Sequence, residues 1–317
     1  MAVTVRTPAH EAGAYGEMVA PPHFSDISRV YFAAGNPEPV AIKELADNTS
    51  DPIRDRFVRE PKILEALGPP QVPRVIEDHT TEDRPYFVMS RDPGYNPLAR
   101  PYSLDPVFVA QIIHSALGPI DRLHQLGLAN RDIKPDHFLV AEEAPMTKWI
   151  DFGMAEEITD GSSDRKSVPG TRLYLSPEDL NGALPSVTGD IYSIGASMYE
   201  LLAGQTAHER PIRPKLAADR RPPQYILDRL AVEDGLVDDV RTAQEEIQTD
   251  TKPDFKVCQQ WVDEEIDMSV LEERLVPAGL IAVVETATAR DPADRYPSAT
   301  VMREGLSYLL HEHVLAA

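Results

Sequence analysis

Two short runs of the sequence decide the fold, and the first of them reads Asn130-Arg131-Asp132-Ile133-Lys134-Pro135-Asp136-His137. The second run follows it and reads Trp149-Ile150-Asp151-Phe152-Gly153. Together they place an aspartate and a lysine in one loop and a second aspartate in another loop. Aspartates in separate loops are either solvated turn residues or members of one site, and the surrounding sequence has to decide between the two.

The two runs resemble the R-D-x-K-P and D-F-G motifs of the eukaryotic-type serine/threonine protein kinases. This resemblance extends from about residue 24 to about residue 312. It implies an α+β fold with two lobes, a small antiparallel β lobe with one helix and a larger, mainly helical lobe. The activity that it implies is ATP-dependent phosphorylation of serine or threonine hydroxyls in a protein substrate, with autophosphorylation as a further expectation.

Length and composition are those of a globular protein with two lobes or two domains. The chain has 317 residues, of which 42% are hydrophobic and 26% are charged. No apolar run approaches the roughly 18 residues that suggest a membrane span. The N-terminus lacks the pattern of a signal peptide, and one cysteine excludes an internal disulfide. We therefore expect a cytoplasmic protein with no membrane partner.

The net charge restricts the partners. The formal charge at pH 7 is −21, from 52 acidic and 31 basic residues. Such a field repels nucleic acid and favours basic or neutral proteins as substrates. The sequence leaves the oligomeric state open.

The pattern along the chain predicts an arm, two lobes and a tail. Residues 1–20 show no period and are expected to form a loose N-terminal arm that ends at Pro21-Pro22. The remaining segments are a small lobe at 21–91, a large lobe at 92–312 with an acidic region at 205–276, and a tail at 313–317.

Local signals predict the elements of each lobe. Strands are expected over 29–33, 40–45, 72–76 and 86–89. Asp51 is expected to cap the helix that follows, and Pro61 to kink or break it. In the large lobe, helices are expected over 106–126 (with a bend at Gly118-Pro119), 188–203 and 277–289.

The resemblance places a nucleotide in the small lobe. Lys43, in a Val-Ala-Ile-Lys run, corresponds to the lysine that holds the α and β phosphates of ATP, and Glu60 to its ion-pair partner. Met89 resembles the residue that guards the adenine pocket, and Arg91 lies just beyond it.

The family's glycine-rich loop is missing. His23, Ser25 and Ser28 stand where its three glycines would be, and glycine there lets backbone N–H groups approach phosphate closely. Two interpretations remain open. The serine hydroxyls contact the phosphates, or the stretch is only a strand edge and hairpin.

The resemblance also assigns the chemistry. Asp132 would orient the acceptor hydroxyl, Lys134 would steady the γ-phosphate, and Asp151 would bind the metal that bridges the β and γ phosphates. His137 replaces the family's metal-binding asparagine, and magnesium takes nitrogen ligands poorly. Three outcomes follow: one Mg²⁺ held by Asp151, a preference for Mn²⁺, or weak nucleotide binding without catalysis. Asn130 replaces a histidine and can still donate and accept hydrogen bonds.

A segment between Asp151 and Glu178 resembles an activation segment. It contains Thr171, typical of the serine/threonine class, and the hydroxyl residues Thr159, Ser162, Ser163 and Ser167. Arg131 is a candidate to bind a phosphate on one of these residues. The alternative is that Glu156, Glu157, Asp160 and Asp164 make this an acidic loop that needs no such switch. Further on, the resemblance implies that Asp190 anchors the catalytic loop and that Arg295 pairs with Glu178.

Two rival functions stay open at this level. One is a pseudokinase, a nucleotide-binding or scaffold module without turnover. The other is a small-molecule kinase on the same fold, against which the Gly-Thr and Ser-Pro-Glu features of a protein-substrate platform argue.

Overall fold

A computed structural model describes residues 15–25, 27–35, 37–47, 49–91, 94–99, 104–141, 146–159, 170–207 and 266–311. These residues fall into two compact units, one that ends at Arg91 and one that begins at Gly94. The first unit is an antiparallel sheet with one helix, and the second is mainly helical, so the predicted α+β fold class is confirmed. In the described part of the chain, no helix has both the length and the apolar character that crossing a bilayer requires.

The first unit contains five strands and a helix. In chain order they are β1 (Met18–Phe24), β2 (Ser28–Ala33), β3 (Val40–Leu45), α1 (Asp51–Leu67), β4 (Val75–His79) and β5 (Tyr86–Ser90). The strands pair antiparallel in the order β1-β2-β3-β5-β4. Strand β3 is therefore central, and all six of its residues are buried.

The predicted loose arm is wrong for residues 18–20, because β1 begins at Met18 and pairs with β2. No strand signal was visible in the sequence here because Pro21 and Pro22, which lack a backbone N–H, lie within β1. They are tolerated because β1 lies at the edge of the sheet, where its register with β2 shifts between Ala20 and His23.

Alternation along β3 decides which residues meet the helix. Ile42 pairs with Val88 and joins an apolar cluster on one face, whereas Lys43 pairs with Phe87 on the other face. The ring of Phe87 lies 5.5 Å from that of Phe57 in α1. Helix α1 therefore packs on the face that carries Lys43.

Helix α1 departs from its prediction in two ways. It continues through Pro61, because its buried residues hold the segment in place even though Pro61 cannot donate to the helix ladder. Its N-cap is Ser50, so Asp51 is the first helical residue instead of the cap.

The strand expected over 72–76 begins later, at Val75. Pro73 cannot donate to the ladder, and pairing starts once it has been passed. Val72 is buried even though it lies outside the strand, which explains why the apolar pattern pointed to it.

The second unit contains six helices and two short antiparallel pairs among its described residues. In chain order the elements are α2 (Pro106–Gln125), β6 (Leu128–Ala129), β7 (Phe138–Val140), β8 (Thr147–Trp149), β9 (Glu156–Glu157), α3 (Pro177–Leu180), α4 (Val187–Ala203), α5 (Ser269–Glu273), α6 (Ala278–Ala287) and α7 (Ala299–His311). Strand β6 pairs with β9, and β7 pairs with β8. Residues 208–265 of the predicted acidic region and the predicted tail at 313–317 lie outside the described residues.

The helical core confirms the three predicted long helices. Helix α2 is capped by Asp105, whose carboxylate accepts from two backbone N–H groups, and it continues through Pro119. Helix α4 is buried along almost its whole length. A side chain at Gly195 would place its Cβ 2.7 Å from that of Ala287, so α4 and α6 approach closely there.

Candidate active site

The loop that holds Asp132 is anchored from below by Asp190 of α4. The Asp190 carboxylate accepts from the backbone N–H of Asn130 at 2.6 Å and from that of Arg131 at 2.9 Å. This confirms that Asp190 anchors the loop. His124, at the end of α2, lies 2.9 Å from the same carboxylate, a contact that no motif indicated.

Asn130 links the two motif loops. Its Oδ1 accepts from the backbone N–H of Asp132 at 3.1 Å, and its Nδ2 donates to the carbonyl of Asp151 at 3.5 Å. The side chain thus donates and accepts, which is what the sequence required of a substitute for histidine.

Asp132 lies at the centre of a compact network. One oxygen, Oδ1, accepts from the backbone N–H and the hydroxyl of Thr171, both at 2.7 Å. The other, Oδ2, accepts from Lys134 Nζ at 3.0 Å, and the same Nζ donates to the Thr171 hydroxyl at 2.7 Å. Two residues of one loop and one residue of the activation segment therefore hold one another in a fixed geometry.

The protonation state of Asp132 follows from its surroundings. Burial raises its pKa, but the charge of Lys134 and the hydrogen bonds from Thr171 and Lys134 act in the opposite direction, and the pKa lies below its ordinary value. Asp132 is therefore ionised at neutral pH. A carboxylate of this kind orients a hydroxyl and accepts its proton late in a reaction, when that proton has become acidic.

Asp151 is partly exposed, and one of its oxygens is fixed by a backbone hydrogen bond. Its Oδ1 accepts from the backbone N–H of Gly153 at 2.9 Å, and the side chain is 36% exposed. The following Phe152 is buried against Trp149, with ring centroids 6.2 Å apart. The buried ring fixes the position of the loop, and the carboxylate next to it stays partly exposed.

His137 lies between the two aspartates. Its Nε2 is 3.7 Å from Asp132 Oδ2 and 3.8 Å from Asp151 Oδ2. Burial, aided by Lys134, lowers the pKa of His137 below its usual value despite the two carboxylates, so the ring is neutral. Its Nδ1 is buried and has no hydrogen-bond partner among the described residues.

The tautomer of His137 decides whether it can bind a metal. A proton on Nδ1 would leave a buried N–H unsatisfied, whereas a proton on Nε2 faces two carboxylates. The second form is favoured, and it turns an N–H instead of a lone pair toward the site. Metal-binding histidines also donate their other N–H to a partner, and no described residue provides one for His137. Within the described ranges, no group of three or more His, Cys, Asp or Glu side chains could hold a metal ion.

In the first unit, Lys43 and Glu60 form the expected ion pair. Lys43 Nζ lies 2.7 Å and 2.8 Å from the two carboxylate oxygens of Glu60. Both side chains are almost fully buried. The pair fixes the ammonium group at the centre of β3, while its contact with a nucleotide stays a prediction.

Ser25 and Ser28 are used in the β1–β2 turn. The Ser25 hydroxyl accepts from the backbone N–H of Ser28 at 3.0 Å and lies 3.1 Å from its carbonyl. This geometry favours the hairpin interpretation of the stretch. Their contact with phosphate stays a prediction.

Met89 and Arg91 lie at the C-terminal end of the first unit. Met89 is buried on β5 opposite Ala41. The Arg91 guanidinium lies 5.0 Å from the centre of the Phe32 ring, and its backbone N–H donates to Pro39. Their nucleotide-binding roles stay predictions.

The activation segment is described at its two ends. Ser162, Ser163 and Ser167 lie outside the described residues. Arg131 was expected to bind a phosphate, but its side chain already forms ion pairs with two carboxylates. The guanidinium lies 2.8 Å from Glu156 and 3.4 Å from Asp179. The sequence pointed to Glu156 only as a member of an acidic stretch, and it did not point to Asp179.

The predicted structural pair at the end of the segment is confirmed. The Arg295 guanidinium donates to both carboxylate oxygens of Glu178, at 2.6 Å and 2.8 Å. Its side chain is fully buried, and it also donates to the carbonyls of Thr188, Ala289 and Arg290.

Comparison with known proteins gives one family. Residues 24–304 match the profile of the family described as "Protein kinase domain". A "Probable serine/threonine-protein kinase PknB" of Corynebacterium glutamicum is 30% identical over 286 residues, which cover 85% of this chain and 38% of that protein. "Serine/threonine-protein kinase PknB" of Mycobacterium leprae is 31% identical over 213 residues, 59% of this chain and 34% of that protein.

The chain covers a larger share of a third relative. "Serine/threonine-protein kinase PknL" of Mycobacterium tuberculosis is 26% identical over 283 residues, 87% of this chain and 60% of that protein. The chain thus spans little more than a third of the first relatives and three fifths of this one.

Proposed function

This chain belongs to the protein kinase domain family, and from that premise we propose that it transfers the γ-phosphoryl group of ATP to serine or threonine hydroxyls of a protein. The observation that carries the proposal is the network of Asp132, Lys134 and Thr171. It provides an ionised carboxylate, a cation and a hydroxyl within hydrogen-bond distance of one another. The three relatives are all named as serine/threonine kinases, which supports the same activity.

Each member of the network has a role in that reaction. Asp132 orients the acceptor hydroxyl and takes its proton, since the carboxylate is held ionised by its neighbours. Lys134 carries a positive charge 3.0 Å from that carboxylate and neutralises charge on the transferring group. Thr171 fixes the orientation of both, because its hydroxyl donates to Asp132 and accepts from Lys134.

The nucleotide would be bound through Lys43. A lysine whose ammonium group is already fixed by Glu60 loses little side-chain entropy when it binds a phosphate. The hairpin geometry of Ser25 and Ser28 supports a weaker grip on the phosphates than a glycine-rich loop would give.

The residues fit one divalent cation better than two. Asp151 offers an accessible oxygen ligand of the kind that Mg²⁺ and Mn²⁺ both accept. His137 turns an N–H toward the same space and does not fit as a second ligand. When bound, the cation would neutralise charge on the β and γ phosphates. We therefore propose Mg²⁺ at Asp151, with His137 lying between the two aspartates and outside the set of metal ligands.

Transfer of labelled γ-phosphate to a basic protein, such as myelin basic protein, tests the proposal. The wild-type chain with ATP and Mg²⁺, and in parallel with Mn²⁺, is expected to label the substrate. Asp132→Asn is the control for contaminating kinases. Equal labelling by the wild type and this variant would remove the assignment of Asp132.

A second candidate is a nucleotide-binding module without turnover. Two observations favour it: the engaged serines in place of glycines, and His137 in place of a metal ligand. A thermal shift with ATP and metal, combined with no labelling of any substrate, would establish this alternative.

The proposal also includes the kind of protein substrate and the cellular location. The charge of −21 supports a basic or neutral protein as the phosphate acceptor. The use of ATP supports a cytoplasmic location for this part of the protein.

A further inference from the structure

The Arg131 guanidinium is a buried cation that already has its counter-ions. Its side chain is 2% exposed and contacts Glu156 of β9 and Asp179 of α3. We propose that Glu156 is a permanent internal counter-ion that positions Arg131 and the catalytic loop, so that phosphoryl transfer requires no phosphate on the activation segment. This inference rests on the proposed kinase activity and names how that activity is regulated.

The backbone brings the two side chains together. Ala129 of β6 pairs with Glu156 of β9, and Arg131 follows Ala129 by two residues. The backbone of Arg131 is fixed in the left-handed region with φ at 65°, and its N–H donates to Asp190. With both backbones held, the guanidinium reaches the Glu156 carboxylate at 2.8 Å.

Glu156 is the stronger of the two partners. Its distance of 2.8 Å to the guanidinium is shorter than the 3.4 Å of Asp179. Burial raises the pKa of Asp179 to about 6, even though Ser176 and Arg131 act to lower it. Asp179 is therefore neutral in mildly acidic solution, and Glu156 is the carboxylate that we assign as the counter-ion.

A phosphate on the activation segment would find no available cation at this place. Two N–H groups of the guanidinium already donate hydrogen bonds, one to Glu156 and one to Asp179. The third nitrogen of the guanidinium, Nε, is buried and has no hydrogen-bond partner in the part of the chain that is described. A phosphate would have to displace a carboxylate and enter beside two negative charges, which is unfavourable in a buried site.

Glu156 acts on the reaction through Arg131 and Asp132. Arg131 immediately precedes Asp132, and a small displacement of a catalytic group costs a large factor in rate. Glu156 is thus a positioning residue, and its loss should lower kcat more than it changes KM for ATP.

The same strand offers a matched control. Glu157 follows Glu156 on β9, pairs with Leu128 through the backbone and is exposed. Replacing it by glutamine removes the same charge from the same strand and leaves Arg131 untouched.

The experiment compares four proteins before and after complete dephosphorylation by a phosphatase, verified by intact mass. They are the wild type, Glu156→Gln, Glu156→Asp and Glu157→Gln, each assayed for kcat and KM for ATP and for Tm. Dephosphorylated wild type is expected to keep its kcat within about twofold. Glu156→Gln should lose about tenfold or more in kcat, Glu156→Asp should recover part of that loss, and Glu157→Gln should match the wild type.

Two outcomes of the kinetic assay would overturn the inference. One is a loss of more than about fivefold in wild-type kcat after phosphatase treatment, and the other is a wild-type kcat in Glu156→Gln. A wild type that transfers no phosphate under any condition would instead refute the proposed function.

In that case the melting temperature Tm still tests whether Glu156 is the counter-ion of Arg131. Dephosphorylation should leave the wild-type Tm within about 1 °C, while Glu156→Gln should lower it by about 3 °C or more, since a buried guanidinium loses its charge partner. A fall in Tm on dephosphorylation alone, or an unchanged Tm in Glu156→Gln, contradicts the assignment.

Discussion

The Thr171 hydroxyl lies 2.7 Å from both Asp132 Oδ1 and Lys134 Nζ, so one side chain from the activation segment fixes two groups of the catalytic loop. Its single proton is donated to the carboxylate, and its lone pair accepts from the ammonium group. The segment and the loop are thereby joined at the carboxylate that we propose as the catalytic base.

Removal of that hydroxyl should be costly for catalysis. Thr171→Val keeps the shape of the side chain but loses both hydrogen bonds, and kcat is expected to fall about 100-fold. Thr171→Ser keeps the hydroxyl and should retain most of the activity. Steady-state kinetics with saturating ATP measures the difference, and equal kcat values for the two variants would refute the role.

The buried ion pair of the first unit should contribute to stability. Glu60→Gln leaves the Lys43 ammonium buried without its charge partner, and the free energy of unfolding is expected to fall by about 3 kcal/mol. KM for ATP should rise in the same variant, because Lys43 is no longer held in place. Urea unfolding measures the first effect and kinetics the second.

Glu65→Gln is the control for that experiment, since Glu65 is exposed on the same helix. Its effect on the free energy of unfolding should stay within about 0.5 kcal/mol. If both variants unfold at the same urea concentration, the buried pair contributes nothing.

Asp179 should make stability depend on pH. Its pKa in the folded protein is about 6, above the ordinary 3.8, so the folded state prefers the protonated form. The stabilisation is fully present below the ordinary pKa and is lost as the pH rises through 6. Relative to wild type, Asp179→Asn should therefore gain up to about 3 kcal/mol in free energy of unfolding between pH 4 and pH 7.5.

Urea unfolding at a series of pH values measures that difference. The exposed Asp55, replaced by asparagine, provides the control. A difference between Asp179→Asn and wild type that stays constant with pH would show that burial does not shift the titration of Asp179.

His137 should limit the use of magnesium. His137→Asn introduces a hard amide oxygen where the ring now turns an N–H, and the Mg²⁺-supported rate is expected to rise about tenfold. Titration with Mn²⁺ followed by electron paramagnetic resonance, in the presence of a non-hydrolysable ATP analogue, should count one ion in the wild type and two in the variant. Two ions in the wild type would refute the single-metal proposal.

The sequence predicted those features that depend on local pattern. The central strand with Lys43 and the pairs of Glu60 with Lys43 and of Arg295 with Glu178 all lie where motif register placed them. The three long helices follow from apolar periodicity over many residues.

What the sequence missed depends on partners that are distant along the chain. Glu156 and His124 look like ordinary surface residues until β6 pairs with β9 and α4 brings Asp190 beneath the loop. Proline was misleading for a related reason. Pro61 is tolerated because the helix around it is buried, and burial cannot be read from propensity.

The prolines of β1 also bear on how this molecule behaves toward its own copies. An exposed sheet edge invites a strand from a neighbouring molecule, and this edge carries the exposed side chains of Met18 and Val19. Pro21 and Pro22 leave two of the seven positions of β1 without a donor and interrupt its register. They therefore work against aggregation at this edge of the sheet.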